Sequence, residues 1–289
     1  MTSDHVREMR RTYVTGPLAA VVVAAGAPDL MNLGWSPDPG TAPGSMSDRQ
    51  ERLVREVLQR AAVRPGDVVV DVGCGRLGLL RRLAAACPAA RLVGVNVDAA
   101  QLPGPRTGAS AALVVADAAR LPLGAATVDR LVAVELLTHV TDKAGFWGSV
   151  NRVMRPQGRV VLAALTLARP HAELDAAARD HLVRLGWYFG ERPEDVPGPG
   201  EIEAELRARG FDVVTEDISA GVFGPRHDDM ATVLGGLRSP DAGSRRASRA
   251  LVVEEWGADP DVLEAYLADW TARHALLDHR YVLVTAVAP

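Results

Sequence analysis

The chain is poor in the residues that would mark several function classes. It holds two cysteines, Cys74 and Cys87, in 289 residues. Two are too few for a disulfide framework, and their spacing matches no zinc pattern, so no metal is expected. The scarcity of cysteine and the lack of a recognisable signal peptide point to a reducing, cytoplasmic setting. The longest apolar run, LAAVVVAAGA from Leu18 to Ala27, falls far short of the roughly 20 residues of a membrane span. It reads as a buried helix, and no membrane partner is expected. Lysine is nearly missing: Lys143 is the only one, and its place in a polar turn speaks against Schiff-base chemistry. Basic charge is not in excess. With 32 Lys and Arg against 36 Asp and Glu the formal charge is −4, which argues against nucleic acid, whose phosphates need clustered cations. Arg238, Arg245, Arg246 and Arg249 do gather in RSPDAGSRRASR, where Ser, Gly and Pro make a solvated loop the expected form.

What is present suffices for a sizeable core: 48% of the residues are hydrophobic and 24% charged, which excludes a disordered chain. Residues 6–25 carry an amphipathic helical pattern broken near Gly16-Pro17, and a turn-rich segment, NLGWSPDPGTAPGS, follows. Ser47 to Ala62 predicts a helix with Ser47 as its N-cap. The period then changes. VVVDV (68–72), RLVGVNV to Val97, ALVVAD to Asp117, VDRLVAVE to Glu135 and RVVLAAL after Arg155-Pro156-Gln157-Gly158 alternate with helical stretches. Short apolar strands at this spacing mean βαβ units and a doubly wound, mostly parallel α/β sheet. EIEAELRARGFDVVTEDIS repeats the grammar with Gly210 as a C-cap, and RYVLVTAVA supplies a last strand. No linker divides the chain. The expectation is a single domain: an N-terminal lid over 1–49, a cofactor-binding core over 50–167, and substrate lid elements over 168–200 and 222–279.

Polar groups cluster where the strands end. Asp71-Val72-Gly73-Cys74-Gly75 closes the first strand on a glycine turn, Asn96 and Asp98 follow the second, and Asp117 the third. Ligands of open α/β sheets bind at the carboxyl ends of the strands, where a glycine turn lets backbone approach ligand. Asn96 and Asp98 suit ribose hydroxyls and Asp117 an adenine amino group, so the three ends together suit a nucleoside-shaped ligand.

These motifs resemble those of the class I S-adenosylmethionine-dependent methyltransferases, over most of the chain. VVVDVGCGRLGLLRRLA is similar to the family's first motif, and LVGVNVDAAQL to its ribose motif in the branch with Asn in place of the usual acid. VVADAARLPL carries the adenine-contacting Asp117 beside Ala118. The stretch VAVELLTHVTDKAGFWGSVNRVMRPQGRVVLA resembles the family's passage from the fourth strand to the fifth. MNLGWS and the C-terminal third resemble small natural-product methyltransferases, including sugar O-methyltransferases of antibiotic pathways. The resemblance implies a seven-stranded Rossmann-like sheet with helical lid insertions. It further implies S-adenosylmethionine as cofactor, S-adenosylhomocysteine as product, and a cofactor site of Asp71, Gly73, Cys74, Gly75, Asn96, Val97, Gln101, Asp117, Ala118 and Val134. Tyr13, Trp35 and Gln50 match lid positions that cover the cofactor in relatives.

Three positions differ from that pattern. Leu77 stands where a third glycine is usual: either its side chain crowds the backbone's approach to the cofactor, or the neighbouring Gly78 absorbs the shift. Thr138 and His139 stand where sugar O-methyltransferases often pair two histidines, and Ala163-Ala164 where some carry an Asp. His139, just past a strand end, is either the remaining general base or substrate anchor or a residue that caps or packs a helix. Glu135 either orients His139, faces the cofactor, or is a charge at a helix start. Trp187-Tyr188-Phe189 are an aromatic group for a substrate pocket or for lid packing, and His227-Asp228-Asp229 read as a solvated loop. The first function class is transfer of a methyl group to an O, N or C nucleophile of a small molecule, in natural-product biosynthesis. The second is a cyclase or other non-methylating enzyme of this fold that keeps the cofactor structurally or has lost it. The third is a non-catalytic binding protein. The partner is a small-molecule substrate, and a homodimer stays open.

Overall fold

The structure, a computed structural model, describes residues 26–27, 29–38, 44–102, 111–189, 193–254, 259–273 and 279–289, without the side chains at 181, 184–189, 226, 227, 270 and 273. The helix expected over 6–25, most of the apolar run from Leu18, Tyr13, and the side chains of Trp187-Tyr188-Phe189 lie outside the described residues. Helix α1 (Met46–Ala61) precedes β1 (Val68–Val72), α2 (Gly78–Ala86), β2 (Arg91–Asn96), β3 (Ala111–Val115) and β4 (Val128–Val134). Then come α3 (Lys143–Val153), β5 (Met154–Leu167), α4 (Ala176–Phe189), α5 (Glu201–Arg207) and β6 (Asp212–Asp217). Helices α6 (Ser219–Leu237), α7 (Ala242–Glu254) and α8 (Pro260–Arg273) lead into β7 (His279–Val287). The strands form one seven-stranded sheet in the order β3-β2-β1-β4-β5-β7-β6. The first five run parallel, and β7 lies antiparallel between β5 and β6. This is the doubly wound, mostly parallel sheet that the strand spacing predicts. Strand order reverses between β1 and β4, which opens a crevice at their carboxyl ends.

Alternation along the strands divides the core into two layers. Leu131 and Ala133 of β4, with Val160, Leu162 and Ala164 of β5, pack against Phe146, Trp147 and Val150 of α3. The intervening Val132, Val161 and Ala163 pack against Leu53, Val54 and Val57 of α1. A period of two on each strand against one apolar stripe on each helix thus fixes which helix covers which face.

Four local expectations are corrected. Helix α1 starts at Met46, with Ser45 rather than Ser47 as its cap. The Ser45 hydroxyl accepts from the Asp48 N–H at 3.2 Å while the Asp48 carboxylate accepts from the Ser45 N–H at 3.0 Å, a reciprocal box that Ser47 cannot form. The stretch Arg155-Pro156-Gln157-Gly158, expected to precede the fifth strand, lies inside β5 as a bulge: pairing passes from Val128–Met154 to Arg130–Arg159, with Gln157 at φ 61 absorbing the surplus residues. The arginine-rich segment is not a loop, because residues from Ala242 are helical. Arg249 of α7 pairs with Asp261 at 2.6 Å, and Arg238 with Glu264 at 2.9 Å. His227-Asp228-Asp229 likewise lie in helix α6.

Leu77 carries the fifth difference. It precedes α2 at φ 66, a left-handed conformation that L residues adopt at a cost. Its side chain is 0% exposed and packs under the sheet with Val69, Leu80, Leu83 and Leu92, so it points away from the crevice instead of crowding it. The close approach falls to Gly78, where a Cβ would lie 2.3 Å from the Asp29 carbonyl oxygen. Leu77→Ala should therefore lose about 2–4 kcal/mol in urea unfolding. A loss below about 1 kcal/mol would contradict this burial.

Candidate active site

Strand ends and an N-terminal strap build one cavity. The turn after β1 is pinned to β2, since the amides of Gly73 and Cys74 both donate to the Val95 carbonyl, at 2.8 and 3.1 Å. Gly73 and Gly75 take φ 82 and 47, conformations open to glycine at no steric cost. Asp71, Gly73, Cys74 and Gly75 all line the cavity. Asp71 is 3% exposed, and burial raises its carboxyl to about 7, because the charged form has lost its water. The same burial pushes the Cys74 thiol far up, Asp71 adding to it, so Cys74 is a neutral lining group with no nucleophilic role.

The β2 and β3 ends form the next wall, with Asn96, Val97, Gln101, Asp117 and Ala118. Asn96 Oδ1 accepts from the Asp98 amide at 3.1 Å, and its Nδ2 donates to Gln101 Oε1 at 3.3 Å. Gln101 Nε2 is buried with no hydrogen-bond partner among the described residues, a donor waiting for an acceptor. Asp117 caps the short turn after β3, its Oδ1 accepting from the Ala119 amide at 3.0 Å. Asp98 instead caps the turn that carries Gln101 and is absent from the lining.

From β4 come Val134, Glu135, Leu136 and His139. Glu135 has φ 54, a rare setting for a residue with a side chain, and one that clusters at functional sites. Its Oε1 accepts from the Leu33 amide at 2.7 Å and from the Tyr281 hydroxyl at 2.8 Å. Tyr281, on β7, is fully buried, and desolvation and the Glu135 carboxylate hold its hydroxyl protonated. His139 is buried in the short turn Leu137–His139 and borders the same cavity.

The strap supplies the remaining wall: Asp29, Leu30, Met31 and Asn32 line the cavity. Gln50 and Trp35 do not line it; they hold the strap. Gln50, 0% exposed, accepts from the Ala27 amide at 2.8 Å and donates to the carbonyls of Asn32 at 2.8 Å and Leu30 at 3.3 Å. Trp35 packs on Gly221 of α6, where a Cβ would come within 2.7 Å of its ring. Asp29 pairs with Arg81 at 3.0 Å and Arg82 at 2.5 Å, and Arg49 with Asp229. Twelve of the fifteen residues singled out in the sequence thus share one cavity, Trp35 and Gln50 brace it, and Tyr13 lies outside the described residues. Sequence reasoning missed Tyr281 and Asp29, whose roles depend on contacts 146 and 52–53 residues away. Among the described residues no group of acidic, His and Cys side chains is arranged to hold a metal, and no helix is long and apolar enough to cross a membrane.

Residues 70–162 match the methyltransferase-domain family. An O-methyltransferase of Pyrenophora dematioidea is 30% identical over 53% of this chain and 59% of its own length. Methyltransferase GfsG of Streptomyces halstedii is 30% identical over 48% and 52%. The chain thus spans between a half and three-fifths of the length of these relatives. Among solved structures, the [4+2]-cyclase SpnF superposes with a TM-score of 0.69 at 21% identity, covering 98% of this chain and 95% of that one. The cyclopropane synthase MmaA2 of Mycobacterium tuberculosis does so at 0.73 and 15%, covering 98% of each. Both share the fold.

The buried Asp71 sets a pH signature. In the unfolded chain an Asp loses its proton near 4, whereas in the fold Asp71 keeps it to about 7. The native state therefore binds more protons between those values. Its stability falls as pH rises through that window, by up to about 1.4 kcal/mol per unit. Asp71→Asn removes the penalty, so its stability advantage over the wild-type protein should widen from pH 5 to pH 8 in urea melts. A constant or reversed gap would contradict the burial of a chargeable group there.

Proposed function

We propose that the chain is a class I, S-adenosylmethionine-dependent methyltransferase that transfers a methyl group to an O, N or C nucleophile of a small molecule in natural-product biosynthesis, a reading supported by the match of residues 70–162 to the methyltransferase-domain family and by the O-methyltransferase relatives. The observation that carries this reading is the convergence of three polar strand ends and a glycine turn on one cavity. The residues fit the cofactor on three counts. Asp71 is a buried carboxyl that a cation would ionise. Gln101 Nε2 is a buried donor without a partner among the described residues. At Gly75, a Cβ would meet no atom nearer than 3.9 Å, so backbone and ligand can close on each other there.

In this reading Gly73, Cys74 and Gly75 receive the methionine part with Asp71 beside its charge. Asn96, Val97 and Gln101 receive the ribose, and Asp117, Ala118 and Val134 the adenine end. Trp35 and Gln50 act by holding the strap, with Tyr13 as a further lid residue. The segment 1–49 is the N-terminal lid, 50–167 the cofactor core, and 168–200 and 222–279 the substrate lids, in a cytoplasmic protein. When bound, the cofactor supplies an electrophilic methyl on a sulfonium. Held by these residues, it would pass that methyl to the acceptor and end as S-adenosylhomocysteine. The chain's share is chiefly alignment of the two reactants and exclusion of water. His139 takes the acceptor's proton where a hydroxyl is methylated, and Glu135 fixes the strap and the Tyr281 hydroxyl at the acceptor side.

Incubation with S-adenosylmethionine and a panel of small acceptors should yield a product heavier by one methyl, with S-adenosylhomocysteine formed in equal amount. Asp71→Ala and Asp117→Ala should each weaken S-adenosylhomocysteine binding by at least about tenfold. Unchanged affinity in both folded variants would sink this placement of the cofactor. With a hydroxyl acceptor, His139→Gln should lower turnover by about 10²–10⁴ and leave cofactor affinity in place; equal turnover would remove His139 as base.

A further inference from the structure

Lys143 is the chain's only lysine, and it opens α3 just past the turn that carries His139. Its expected place in a polar turn is borne out only in part, because the ammonium is turned inward onto backbone. Nζ donates to the Leu137 carbonyl at 2.8 Å, the Val140 carbonyl at 2.5 Å and the Asp195 carbonyl at 2.6 Å. The first two bracket His139. The third lies in the short turn Pro193–Asp195, at the far end of the lid segment that leaves β5. Asp195 is itself buried, and its carboxylate accepts from the Thr141 hydroxyl at 3.2 Å. The same lid end is tied to its start, since the Leu167 amide donates to the Pro197 carbonyl at 2.8 Å and His171 Nε2 lies 3.1 Å from the Val196 carbonyl.

Three carbonyls converging on one point suit a tetrahedral ammonium with three donors and do not suit the planar fork of a guanidinium. Every other lysine-or-arginine position in this chain is arginine, so the ammonium here answers a local geometry. We propose that Lys143 is a positioning residue. Its ammonium joins the turn presenting His139 to the foot of the lid, so that the acceptor-side histidine and the substrate lid hold one fixed relation. The consequence for catalysis rests on the reading of His139 given above; the joint itself does not.

Hydrogen exchange and NMR of the full-length protein test this without a known acceptor. In Lys143→Met, which keeps the stem and removes the donors, amides in peptides 136–142 and 193–198 should both exchange about tenfold faster, with the central strands unchanged. The His139 imidazole resonance, assigned with His139→Gln, should shift or broaden; a packing role for the stem alone would leave it in place. Lys143→Arg should fall between the two. Faster exchange in only one segment, in neither, or an unmoved His139 resonance would overturn the proposal. If Lys143→Met does not fold, the wild-type protein decides. Formaldehyde with borohydride should methylate Lys143 at least about tenfold more slowly than free N-acetyl-lysine, since its donors are engaged; equal rates would overturn the joint. S-adenosylhomocysteine binding is read in the same samples: its absence from wild-type protein would remove the functional reading and leave the joint standing.

Discussion

Glu135 is where the layers of this molecule are tied together. Strand β4 hands its last ladder bond to the Glu135 amide, which donates to the Ala163 carbonyl at 2.8 Å, and the chain then turns through a left-handed residue. That turn aims the carboxylate into the cavity, where one oxygen accepts from the strap at Leu33 and from β7 at Tyr281. Bonds to a charged acceptor are stronger than neutral ones, and this one joins segments 102 and 146 residues apart in sequence. It adds a hydrogen-bonded tie from the strap to the sheet's open end, beside the anchors at Gln50, Asp29 and Trp35 and the packing of Leu30 and Leu33 on the sheet. The backbone strain at Glu135 is thus held by three elements at once, as a strained residue at a functional site requires.

A second tension lies at Asp71. A buried carboxyl raised to about 7 weakens the fold at neutral pH, and the chain keeps it in the most buried strand, beside two glycines that add no packing. In the proposed reading, a bound cofactor would resolve the conflict by supplying a positive charge. A buried carboxyl at this position makes the site less stable than the fold around it could be, in the manner of sites built for a ligand and not for stability.

Much of this was legible in the sequence. The β-branched run VVVDV ending on a glycine turn, and the polar residues ending the next two strands, follow from one-dimensional rules of burial and strand ends. Those rules place Asp71, Asn96 and Asp117 in one crevice. The sequence reads less well wherever a role depends on distant contacts. Gln50 reads as a cofactor-facing residue until the strap is seen to fold back onto it. Leu77 reads as an obstruction because the pattern shows a missing glycine, whereas a left-handed backbone turns the side chain beneath the sheet. The arginine-rich segment looks like a loop by composition, but Asp261 and Glu264 of the next helix neutralise two of its arginines and a helix forms. Lys143 shows no motif at all; its role arises from three carbonyls that only the folded chain brings together.

Calorimetric titration of the purified protein with S-adenosylmethionine and S-adenosylhomocysteine tests the central claim most directly. The strand-end crevice should bind both, with the demethylated product held as tightly as the methyl donor or tighter. A folded protein that takes up neither at high ligand concentration would contradict the assignment of this cavity as a methyltransferase cofactor site.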